Sequence, residues 1–154
     1  MPWDAEAARD RLERFVRDRC GDPEGSGVVD ETCIPKKGTR SVGVAKQYCG
    51  AVGKLANCQG ATLLTYASAR GHVFLDRRLY LPEAWCREGE RRTRAHVPEA
   101  VRFQTKPDQA RAMLEHAWDV GVPMRSGDGL AASTASPRRC PRPLSVPESG
   151  TCWR

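Results

Sequence analysis

The sequence predicts an α/β fold: an N-terminal amphipathic helix, a three-stranded antiparallel hairpin sheet, a second amphipathic helix, and a disordered tail that joins no core. Three patterns predict it. Apolar residues Trp3, Ala7, Ala8, Leu12, Phe15 and Val16 recur at helical spacing near the start. Residues 72–81 alternate with the two-residue period of a strand. Beyond Ala131 neither period survives.

The first helix runs from Asp4, a cap residue, to about Cys20, with charges on its outer face. Gly21 to Gly27, which includes Asp22, Pro23, Glu24, Gly25 and Ser26, ends it. Val28-Val29-Asp30 then reads as a short buried strand with its acid at the end. Lys36-Lys37-Gly38-Thr39-Arg40 reads as a basic turn, Ser41 to Tyr48 as a second strand, and Gly60 to Ser68 as a third. The interval with Gly50, Gly53 and Asn57 is the expected turn between these two. In His72 to Leu81, Val73, Leu75, Leu79 and Leu81 alternate with Phe74, Asp76, Arg78 and Tyr80; Arg77 interrupts the apolar side. Residues 83–98, rich in Arg and Glu and bracketed by Pro82 and Pro98, form a polar excursion. Pro107 opens the second helix, with Ala110, Met113, Leu114, Ala117 and Trp118 on one face and an end near Gly121. A further strand is expected next.

Instead, residues 131–154 hold Pro137, Pro141, Pro143 and Pro147 with four arginines and four serines. The expected division is therefore a domain over 1–125 and an irregular Pro/Arg/Ser-rich tail over 126–154. The abrupt change suggests a chain that leaves its proper reading frame near residue 125.

At 154 residues the chain can bury one ordinary core, and no apolar run is long enough to span a membrane. Asp4, Glu6 and Asp10 replace the basic and apolar regions of a secretory signal, so a cytoplasmic protein is expected. The net charge of +6 favours a polyanionic partner, but +3 of it lies in residues 131–154, which makes bulk charge weak support for nucleic acid. Seven cysteines, at 20, 33, 49, 58, 86, 140 and 152, include no Cys-x-x-Cys pair and no His at ligand spacing. Reduced, unliganded thiols are expected.

Val28-Val29-Asp30-Glu31-Thr32 is followed by Ile34-Pro35-Lys36-Lys37-Gly38-Thr39 and by Ser41-Val42-Gly43-Val44-Ala45-Lys46-Gln47-Tyr48-Cys49-Gly50. Together with Gly53-Lys54, Asn57-Cys58-Gln59, Leu79 to Trp85, Phe103 to Pro107 and Gly121-Val122-Pro123, these closely resemble bacterial insertion-sequence transposases of the DDE type, in particular the insertion-sequence 701 group. The resemblance covers about residues 3–123. It implies a partial ribonuclease-H-like fold in which three carboxylates hold two Mg2+ ions. Two such ions about 3.5–4 Å apart activate the attacking oxygen and stabilise the leaving one. Magnesium calls for hard oxygen ligands.

Asp30 matches the first of the three acids. As residues alone, a strand-terminal Asp more commonly caps the following turn; the surrounding motif reverses that preference. Glu31 points to the opposite face and reads as a solvated or paired charge. The second family acid sits in an Asp-x-x-Tyr-Gly pattern; Asp128 is nearly in place, but Ala131 and Ala132 stand where Tyr and Gly belong, and a lone Asp between Gly127 and Gly129 is usually a turn residue. The third acid has no counterpart, and Glu148 lies in the irregular tail. Cys33 stands where the family usually has glycine, which implies strain in a turn.

Lys36, Lys37 and Arg40 could equally contact DNA phosphates or form a solvated turn. Arg91, Arg92 and Arg94 read as solvated, because Glu88 and Glu90 neutralise the run. Gly50 to Lys54 resembles a phosphate loop, but Tyr48 and Leu55 occupy its Gly and Ser/Thr positions, so no nucleotide cofactor is expected. His72, His96 and His116 are too scattered for a dyad or a metal cluster. Two function classes follow. One is a transposase fragment whose complete form cuts element-end DNA and joins the freed 3′ hydroxyl to a target, in an oligomer. The other is a catalytically dead remnant that at most binds DNA or a full-length transposase.

Overall fold

The structure is a computed structural model that describes residues 4–125. Asp128, Glu148 and the tail lie outside the described residues. Helix α1 (Ala5–Phe15) begins where the Asp4 carboxylate accepts the Glu6 and Ala7 amides at 3.1 and 2.9 Å. It widens into a π-helical turn over Val16–Cys20. The Arg17 guanidinium there donates to the Val120 carbonyl at 3.1 Å, tying this turn to a segment 103 residues further along the chain.

Strands β1 (Ser26–Pro35), β2 (Ala45–Cys49), β3 (Lys54–Ser68) and β4 (Gly71–Tyr80) form one antiparallel sheet. It has four strands rather than three, because residues 71–80 pair with β3 despite Arg77, with one bulge at Leu75. β3 is central: β1 pairs along Cys58–Ala67 and β4 along Gly60–Ser68, so these two occupy opposite edges. β2 pairs with Lys54–Cys58, overlapping β1 at Cys58, and so shares β4's edge. Only Gly50–Gly53 turns between β2 and β3; Lys54–Gln59, expected in that turn, is strand.

Along β3, Thr62, Leu64 and Tyr66 are buried and Ala61, Leu63 and Thr65 are half-buried, so one sheet face carries the main core. Leu64, Tyr66 and Leu75 pack with Val16 and with Met113, Leu114 and Ala117 of α4 (Lys106–Asp119). Each of the buried Val, Leu and Met side chains among these contributes about 1.5–3 kcal/mol relative to exposure. α4 opens with a reciprocal cap between Thr105 and Asp108 and with Pro107 in its first turn. The Thr62 hydroxyl donates to Gln109 Oε1 at 2.9 Å, and Gln109 Nε2 donates to the Leu79 carbonyl at 3.1 Å. Those bonds fix α4 on the sheet and satisfy a buried amide.

The excursion folds as two short helices, α2 (Glu83–Arg87) and α3 (Gly89–Arg94). They bury Trp85 in a second cluster with Val44 and Leu81. Gly43 enters this cluster at φ +75, and a Cβ there would lie 2.7 Å from the Tyr80 carbonyl, so only glycine fits. Among the described residues no helix is long and apolar enough to cross a membrane.

Candidate functional site

Asp30 lies in the middle of β1, opposite Leu63, and its carboxylate is exposed. This corrects two expectations: the strand does not end at the acid, and it is not buried. Thr32 and Ile34 continue the extended run, and β1 pairs only with β3, so its other edge is open. The face that carries Asp30 also exposes Val28 and Phe74, and the helices of the main core pack on the opposite one. Asp30 Oδ1 accepts its neighbour's amide, from Glu31, at 2.7 Å. An open groove of about 660 Å³ runs along this strand, lined by Asp30, Glu31, Thr65, Phe74 and Lys106 among others.

Glu31 points the other way, toward the side of Thr62, and pairs with Lys106 at the start of α4. The ammonium of Lys106 also sits 5.4 Å above the Tyr80 ring. Glu31 is thus a paired charge, as its place in the strand predicts.

The basic loop follows β1 directly, and its backbone is held at three points. Asn57 Nδ2 donates to the Lys36 and Gly38 carbonyls at 2.8 Å each, and the Lys36 amide donates back to the Asn57 carbonyl. Gln59 Nε2 donates to Val42 O at 2.5 Å. Arg91 donates to Thr39 O at 3.1 Å and Val44 O at 3.3 Å while its guanidinium stacks 3.8 Å from the centre of Trp85. Arg91 is therefore a buttress and not a solvated charge. Lys37 and Arg40 are exposed and Lys36 is half-buried. At about 3.3 Å per residue, Lys36 lies about 20 Å along the strand from Asp30.

Two groups of three ligand-type side chains converge among the described residues, and neither contains Asp30. Cys33, Cys49 and Cys58 bring their sulfurs together, with Cys33 and Cys49 2.7 Å apart; burial pushes the Cys33 thiol above its usual range. Cys33 lies in extended strand and not in a turn, so the expected turn strain is absent. Asp10, Glu13 and His116 meet between α1 and α4. His116 Nε2 is 3.0 Å from Glu13 Oε2 and 3.4 Å from Asp10 Oδ1. Burial pushes the Glu13 carboxyl up, whereas Arg9, donating to Asp10 at 2.8 and 3.1 Å, holds the Asp10 carboxyl down. Sequence reading treats His116 as isolated. The available signal was Asp10 and Glu13, three apart on the stripe that continues to Val16.

Sheet, acid and loop define a mixed α/β domain that presents a carboxylate on an open face beside a basic segment. The profile of the family described as DDE superfamily endonuclease matches residues 1–126, and the chain belongs to that family. Membership implies a DNA substrate and divalent-metal chemistry. No curated protein and no solved structure matches the chain.

Proposed function

We propose that residues 1–125 are the DNA-processing domain of an insertion-sequence transposase of the 701 group, on a ribonuclease-H-like fold. In this reading Asp30 is the first carboxylate to hold Mg2+, Asp128 is the candidate second, and Lys36, Lys37 and Arg40 meet phosphates of element-end DNA in the cytoplasm. The observation that carries it is an exposed acid in a strand that leads straight into a buttressed basic loop. The 20 Å between them spans about six base pairs of duplex, so one DNA segment reaches both. The carboxylate is a hard oxygen donor of the kind Mg2+ takes. One such residue does not complete a two-ion site, and no group of three ligands gathers around Asp30 among the described residues.

That last observation favours a second reading, in which this chain binds DNA or a transposase oligomer without cutting. A titration of the full chain with Mn2+, followed through the Val29 and Glu31 amide resonances, tests the assignment of Asp30. Broadening is expected in the wild type and not in Asp30→Asn; equal broadening in both removes Asp30 from the metal site. Plasmid nicking separates the readings. We expect none from this chain alone, and nicking that Asp30→Asn abolishes would establish a working enzyme.

A further inference from the structure

We infer that Asp10, Glu13 and His116 form a zinc site that staples α1 to α4. Glu13 is wholly buried, and neither of its carboxylate oxygens has a hydrogen-bond donor; His116 Nε2 is likewise buried and unpartnered. Yet Nε2 and Oε2 are 3.0 Å apart. Two polar atoms at hydrogen-bonding distance without hydrogen-bond alignment are placed as two ligands of one ion are placed, each aimed at a third point.

The size of the cluster agrees. Zinc bonds to nitrogen and carboxylate oxygen of about 2.0–2.2 Å in a tetrahedron set ligand atoms about 3.3–3.6 Å apart. The separations here are 3.0 Å for Glu13 to His116 and 3.4 Å for Asp10 to His116, and all three ligand atoms lie within 4.8 Å of one another. Asp10 and Glu13 are one turn apart on α1, and His116 is in the last turn of α4. Arg9 donates twice to Asp10 Oδ1, the oxygen that also faces His116, and so orients that carboxylate toward the cluster.

The donor set selects the metal. One imidazole with two carboxylates suits zinc, whereas magnesium keeps to oxygen and to much of its own water. Charge points the same way, because a divalent cation neutralises two carboxylates that Arg9 alone leaves in excess. None of Asp10, Glu13 and His116 lines the groove that holds Asp30, so this site is separate from the one proposed for DNA cleavage.

The test uses the full chain stripped of metal, with Zn2+ as ligand and Co2+ as spectroscopic probe. One zinc per chain is expected, with a thermal midpoint that rises as zinc saturates and stays put with Mg2+. Glu13→Gln removes a buried charge and is expected to fold, with zinc affinity about 100-fold weaker or worse. His116→Gln gives the same loss and decides the matter if Glu13→Gln does not fold. The cobalt spectrum is expected to show nitrogen and oxygen ligation without thiolate charge transfer. A charge-transfer band that disappears in Cys49→Ser would move the metal to the cysteine cluster and overturn the proposal. So would a zinc response retained in both variants, or no response in the wild type.

Discussion

Trp85→Phe isolates the interaction that buttresses the basic loop. The substitution keeps an aromatic ring between Val44 and Leu81 and removes the indole N–H, which donates to Val44 O at 2.8 Å within the core. That bond contributes about 1 kcal/mol. Val44 O keeps Arg91 as a second donor at 3.3 Å, so it is not orphaned. The smaller ring leaves unfilled volume, about 1 kcal/mol more. It also offers a weaker face to the Arg91 guanidinium at 3.8 Å, an interaction of about 0.5–1 kcal/mol. Urea unfolding followed by far-ultraviolet circular dichroism should show a loss of about 2–3 kcal/mol, with Trp85→Ala higher, at about 3–5 kcal/mol. A double-mutant cycle with Arg91→Ala should return a coupling of about 0.5–1 kcal/mol. If Trp85→Phe costs less than about 0.5 kcal/mol, or if Arg91→Ala costs the same in both backgrounds, the buttress does not work through the stacked pair.

Three further perturbations test the frame around the site. Thr62→Val strips Gln109 Oε1 of its donor in a buried setting and should cost about 1–3 kcal/mol in the same assay; a neutral result would mean that water or a rotated amide takes the hydroxyl's place. Gly25→Ala sets a methyl 2.1 Å from the Tyr66 hydroxyl, which itself brackets Asp22 with bonds of 2.9 and 3.1 Å; a loss of about 1–3 kcal/mol is expected, partly recovered in a Tyr66→Phe background. The Thr105 hydroxyl, donating at 2.6 Å, holds the Asp108 carboxyl below its ordinary 3.8, so this cap contributes fully above that pH and is lost as pH falls through the lower folded value. Thr105→Ala should therefore flatten the acid limb of the stability profile below about pH 4, and an unchanged limb would show that other carboxylates govern it.

The elements that declare themselves in sequence are those with one face committed to the core. α4 is readable because Ala110, Met113, Leu114 and Ala117 keep a helical stripe behind Pro107, and β4 because its alternation survives Arg77. β1 is misread as short and buried. It is an edge strand, so no side chain in it needs to be apolar on a strict period, and the polar Asp30-Glu31-Thr32 looks like a turn when it is strand. Lys54–Gln59 is missed for a similar reason: Asn57 and Gln59 spend their side chains on the basic loop instead of on a core face. For the site, the role proposed for Asp30 rests on its motif. The stacking of Arg91 on Trp85 and the meeting of Glu13 with His116 are not legible in sequence, because each joins segments distant in sequence whose only common property is where the chain folds them.

The central place of β3 also sets an order of assembly. The β3–β4 ladder begins three residues apart, at Ser68 and Gly71, and the β2–β3 ladder five apart, at Cys49 and Lys54, whereas the nearest β1–β3 pair, Pro35 and Cys58, is 23 apart. Each doubling of a closed loop costs about 0.6 kcal/mol of chain entropy, which puts β1 about 2 kcal/mol behind the β3–β4 hairpin before any side chain packs. The strand that carries Asp30 thus closes the longest loop of the three, and its ten-residue register with β3 is what offsets that cost. Whatever holds β1 in place at equilibrium therefore also governs how long the acid stays at its station.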